Sequence, residues 1–67
     1  MPYINIQIAK GHSEERKARI AQRIADVVMD ETGLPADAVW IVFQDIPSEQ
    51  WFVGRTSVKE LDEAAAQ

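Results

Sequence analysis

The chain has 67 residues, 46% of them hydrophobic, which is enough for one small domain over residues 1–67 and for little core. A formal net charge of −4, from 11 acidic and 7 basic residues, excludes the basic face that a nucleic-acid partner requires. With no cysteine and a single histidine there is no disulfide staple or zinc–thiolate site and a poor basis for a metal cluster, which leaves oligomerisation as the usual way to stabilise so small a fold.

The first residues carry neither a charged n-region nor a long apolar run, so no signal peptide is expected. No apolar stretch approaches the length of a membrane span, and the expected location is the cytoplasm. Pro2 follows Met1 and runs straight into a strand. A strand start tolerates proline because the missing N–H costs no ladder bond there. Were Met1 removed, Pro2 would also be a free secondary amine.

Residues 3–8, YINIQI, alternate strictly, with Ile4, Ile6 and Ile8 on one face and Tyr3, Asn5 and Gln7 on the other. That is a strand with one buried face. Lys10, Gly11 and His12 form a connection. Ser13 reads as a helix N-cap, followed by Glu14 and Glu15 in the first turn, where the helix dipole favours acids. Residues 14–32 carry Ile20, Ala21, Ile24, Val27 and Val28 at helical spacing, and the charges from Arg16 to Glu31 read as a solvated face. Gly33 stands at the C′ position and Pro35 forbids continuation.

A second strand is predicted over residues 39–43. Val39, Ile41 and Phe43 face the helix, while Trp40 and Val42 form an apolar outer face that calls for another subunit. Strand, helix and strand make a β-α-β unit, so the strands are expected to be parallel with a right-handed crossover. Residues 47–49 form a turn. Trp51, Phe52 and Val53 make a short apolar patch before Gly54 and Arg55, and the Ala-rich tail 58–67 is left between a short helix and fraying.

Taken together, the Met-Pro start, the strand running into K-G-x-S, the helix ending T-G-L-P, the strand V-W-I-V-F and the segment W-F-V-G resemble the 4-oxalocrotonate tautomerase family, the short-chain branch of the tautomerase superfamily. The likeness runs from Pro2 to about Glu60. It implies an α/β (α+β) fold, a single β-α-β unit with a C-terminal β-hairpin, assembling into a homo-oligomer. Family members form dimers with a four-stranded sheet and commonly a hexamer of three dimers. It also implies an isomerase that interconverts keto and enol forms of a small unsaturated acid without a cofactor, with the amino-terminal Pro2 as general base. An α-amino group ordinarily titrates near pH ~7.7–8.0, and burial lowers that value, so such an amine accepts a proton at neutral pH.

The sequence departs from the family at the substrate contacts. In the resembled family arginines grip the substrate carboxylates, but His12 stands where one often follows the first strand, and Trp40 where another opens the second. Trp51 keeps the family's pocket aromatic in kind. Arg55 stands where a glycine is common and offers a cation, and Phe52 joins Trp51 as a pocket wall. The candidate substrate contacts are therefore His12, Trp40, Trp51, Phe52 and Arg55. Without paired arginines a dicarboxylate such as 2-hydroxymuconate should bind poorly, and a monocarboxylate, a phenylpyruvate-like enol or an uncharged dienol fits better. A dehalogenase- or hydratase-like relative using the same proline and a non-catalytic assembly or ligand-binding module are the competing readings.

Overall fold

The computed structural model describes residues 2–66. Strand β1, Tyr3–Ala9, pairs in parallel with β2, Trp40–Ile46. Tyr3 lies opposite Trp40 and Ala9 opposite Ile46, so the two strands start and stop together. Parallel strands need a long crossover, and helix α1, Glu14–Thr32, supplies it.

The expected β-α-β unit is thus present, with small shifts of boundary. β2 begins one residue later than expected, because the Val39 N–H closes a 3-10 turn over Ala36–Ala38 by donating to the Ala36 carbonyl at 3.2 Å. It then runs on through Gln44, Asp45 and Ile46. Pairing with Gln7, Ile8 and Ala9 carries it past the point where the apolar run ends.

The helix ends follow local chemistry. The Ser13 hydroxyl accepts the Arg16 backbone N–H at 3.1 Å. Gly33 takes a left-handed φ of 74° and donates its N–H to the Met29 carbonyl at 2.9 Å. The face toward the strands holds Ile20, Ala21, Ile24 and Val28, all half-buried. Val27 departs from the expected pattern at 61% exposed. Helical geometry of about 100° per residue sets it roughly 75° from the centre of the stripe, at the edge of what two strands cover. At the far end of the sheet Lys17 donates to the Asp45 carboxylate at 2.7 Å and ties α1 to β2. The pair is partly solvated, so it fixes position more than it stabilises.

Beyond β2, Pro47 opens a 3-10 turn over Ser48–Gln50, and β3, Phe52–Val53, pairs antiparallel with β4, Thr56–Ser57. The two-residue loop has Gly54 at φ 63° and Arg55 at negative φ, the pattern of a type II′ hairpin turn. Helix α2, Val58–Ala65, follows and packs on the Ser48–Gln50 turn and β4. Its N-cap is Ser57, whose hydroxyl accepts the Glu60 N–H at 3.2 Å. The Val58 N–H donates to the Trp51 carbonyl at 2.7 Å, closing this small unit on itself. The tail is therefore helical through Ala65, and Gln67 lies outside the described residues.

Among the described residues no hydrophobic side chain is fully buried, and Ser57 is the only buried residue. The chain measures 46 × 24 × 16 Å with a radius of gyration of 15.4 Å, against about 11 Å for a compact chain of this length. Its accessible surface of 5322 Å² compares with about 4,200 Å² for a folded monomer of this mass. No helix of the described residues is long and apolar enough to cross a membrane.

Candidate active site

Pro2 sits half-buried immediately before β1. Its carbonyl accepts the Trp40 backbone N–H at 3.0 Å, so the first ladder bond of the parallel sheet fixes Pro2 against the start of β2. The side chain of Trp40 stands on the outer face beside Tyr3, its partner in register, and is 55% exposed. The Tyr3 hydroxyl accepts from the Asn5 amide at 3.2 Å. Pro2 and Trp40 are thus neighbours through the backbone at the start of the sheet, and the Trp40 side chain lies on a face with no covering element among the described residues. Met1, whose removal bears on the Pro2 nitrogen, lies outside the described residues.

His12 is carried to the opposite end. It lies past the C-terminal end of β1, and seven strand residues at ~3.3 Å each separate it from Pro2 by roughly 20 Å. It is half-buried, and its Nδ1 lies 3.1 Å from Nη1 of Arg16. Trp51, Phe52 and Arg55 belong to the hairpin unit that follows the same end of β2. Trp51 is 36% and Phe52 57% exposed, and Arg55 is the exposed second residue of the hairpin turn. One chain therefore does not bring Pro2 and His12 into a single site, and its described residues enclose no cavity. The length of β1 alone forces the separation of Pro2 and His12, and parallel pairing then sets the start of β2 at the Pro2 end and its exit at the His12 end.

Arg16 is the contact that reading residues 16–31 as a solvated face passes over. The signal was present in the spacing, since residues 12 and 16 are four apart across a capped helix start.

A family model described as "Tautomerase enzyme" matches residues 2–61. The chain belongs to the tautomerase family. Within it the chain falls in the 4-oxalocrotonate tautomerase branch. It is 31% identical over 61 residues to a 2-hydroxymuconate tautomerase of Comamonas testosteroni, covering 91% of this chain and 97% of that protein. It is 39% identical over 51 residues to a probable tautomerase of Xylella fastidiosa (strain 9a5c), covering 76% of this chain but only 62% of that relative's length. Its fold matches a chain from a study of a heterohexamer 4-oxalocrotonate tautomerase of Chloroflexus aurantiacus J-10-fl with a TM-score of 0.84, at 30% identity, over 91% of this chain and 98% of that one. Membership supports an isomerase of the tautomerase kind, and the β-α-β fold agrees with it.

Proposed function

We propose that the chain is a tautomerase of small unsaturated 2-hydroxy or 2-oxo monoacids, with Pro2 as its general base once Met1 is removed. The observation that carries the reading is the placement of Pro2. The family match begins at this residue, and the ladder bond from Trp40 holds it half-buried at the mouth of the parallel sheet.

The proposed step needs only a neutral amine. The nitrogen lone pair takes the proton of an enol hydroxyl, the O–H electrons form the carbonyl, and the displaced double bond moves along the conjugated chain. The prolinium then returns the proton to the carbon that has gained electron density. Positioned acid–base catalysis of this kind contributes about 10²–10⁴-fold, and orientation with charge stabilisation supplies the rest.

The working unit in this reading is a homo-oligomer, with a hexamer of three dimers the preferred form. The exposed Tyr3, Trp40 and Val42 face and the surplus surface of the single chain support it. The heterohexameric state of the Chloroflexus relative supports the number six. A site that combines Pro2 with His12, Trp51, Phe52 or Arg55 then draws them from different copies. The substrate carries one carboxylate because His12 and Trp40 replace two of the expected cations, leaving Arg55 as the hairpin's contribution.

The test is direct. Intact mass should show the loss of Met1. Pro2→Ala should lower turnover of phenylenolpyruvate by at least about 10²-fold while the oligomer persists. A chain that keeps Met1, or an active Pro2→Ala, would falsify the mechanism. Halide release from a 3-haloacrylate with no turnover of enols would instead favour the dehalogenase-like reading.

A further inference from the structure

Helix α1 carries its outer charges in an order that an isolated helix does not favour. Arg16, Arg19 and Arg23 occupy its first half, and Asp26, Asp30 and Glu31 its second. The helix dipole disfavours acids at the C-terminal end, yet the last turn of α1 holds Asp30 and Glu31 and no basic residue. Arg19 and Arg23 are four residues apart, as are Asp26 and Asp30, and like charges at that spacing repel. All six side chains are exposed, and the one ion pair among the described residues is Lys17–Asp45.

At about 100° per residue, Arg19, Arg23, Asp26 and Asp30 fall within roughly 60° of one another, and roughly 145° from the centre of the half-buried stripe. They form a narrow seam on the side of α1 turned away from the sheet, cationic in its first half and anionic in its second. A second such seam laid against it antiparallel meets the opposite sign along its whole length. When Arg23 is level with Asp26 of the copy, Arg19 is level with Asp30, because both pairs are centred on the same point of the helix, between Ile24 and Ala25. Two-fold symmetry then repeats each pair. Antiparallel packing also sets the two helix dipoles in their favourable arrangement.

We propose that this seam docks the α1 seam of a second copy, antiparallel, across a two-fold axis level with Ile24 and Ala25. The occupant is a copy of this chain because the seam is complementary to itself, whereas a partner of one sign would be repelled along half of it. The Tyr3, Trp40 and Val42 face lies on the other side of the sheet from α1, so the two contacts are separate. Exposed ion pairs are individually weak and screened by salt, so the docking is reversible and strongest at low ionic strength. It does not depend on any chemistry at Pro2.

Sedimentation velocity of the full chain reads the contact. In about 10 mM salt, where the Debye length is about 30 Å, the weight-average mass should rise with protein concentration toward about twice its value in about 1 M salt, where that length is about 3 Å. Arg19→Asp with Arg23→Asp should hold the mass at its high-salt value. These two reversals, each worth −2, take the formal net charge from −4 to −8. Lys10→Glu with Lys59→Glu reaches the same charge at exposed positions off the seam, and should still associate in low salt. Adding Asp26→Arg and Asp30→Arg to the first variant inverts both halves of the seam and restores the original net charge, and association should return. Circular dichroism should show the helix intact in every variant, since all the altered positions are exposed. A wild-type mass indifferent to salt overturns the proposal, as does an Arg19→Asp, Arg23→Asp protein that associates like the wild type. Loss of association in the lysine control would assign the effect to net charge, and an inverted seam that stays apart would rule out self-complementarity; either result also overturns it.

Discussion

Pro2 and Trp40 are neighbours for a backbone reason: in a parallel pair both strands begin at the same end, and the first N–H of β2 finds the carbonyl of Pro2. That makes Trp40, an aromatic where the resembled family often has an arginine, the β2 residue whose backbone is bonded to the candidate base. His12 is the second such replacement, and Arg16 is the cation that touches it. If these substitutions set the preference for one carboxylate, restoring both arginines should reverse it. His12→Arg combined with Trp40→Arg is expected to raise kcat/KM for 2-hydroxymuconate relative to phenylenolpyruvate by about tenfold or more, the scale of one added charge-assisted hydrogen bond. A ratio unchanged between wild type and double variant would show that specificity is set elsewhere.

The individual elements are specified locally. Ser13, Glu14 and Glu15 start α1 and Gly33 stops it, and the structure places the helix between these signals, at Glu14–Thr32. Gly33 occupies a left-handed φ that a Cβ disfavours, although open space surrounds it. Gly33→Ala is therefore expected to destabilise the protein by about 1 kcal/mol through backbone strain alone, read as a lower urea midpoint with unchanged m-value. No loss of stability would mean that the turn relaxes out of its left-handed conformation. The strands were equally legible in their alternation: Ile4, Ile6 and Ile8, with Ile41 and Phe43 opposite the first two, are half-buried, and Tyr3, Asn5, Trp40 and Val42 are exposed. The end of β2 was not legible, because Gln44 and Asp45 are polar and are held in the strand by pairing with β1 and by Lys17. The helical tail was half legible. Ser57 supplies a cap, but α2 also depends on packing against the Ser48–Gln50 turn, a contact no local pattern encodes.

At the scale of the whole molecule, one helix on two strands leaves the opposite face of the sheet uncovered by any other described residue. Tyr3, Trp40 and Val42 crowd that face while Gln7 donates to Gln44 at 3.3 Å beyond them. Side-chain amides already paired within the chain can be covered at lower cost than free ones. The reading of this face as a contact between copies predicts that Val42→Asp, a charge set in its middle, shifts the assembly to smaller species in light scattering after size exclusion, with loss of helical signal on dilution. A Val42→Asp protein that keeps the wild-type mass would remove this face from the interface.

By itself the amino-acid sequence determined the β-α-β order, which residues face the helix, the stops at Gly33 and Pro35, and the tautomerase likeness that begins at Pro2. These are properties of neighbours along the chain: strand alternation, helical periodicity and caps act over a few residues. Only the tertiary structure decided that the start of β2 stands against Pro2, that Lys17 reaches Asp45, and that a lone chain buries no hydrophobic side chain among its described residues. Those outcomes depend on how segments far apart in sequence are set side by side. The direction of strand pairing fixes such distances, whereas local pattern fixes only which way each side chain points.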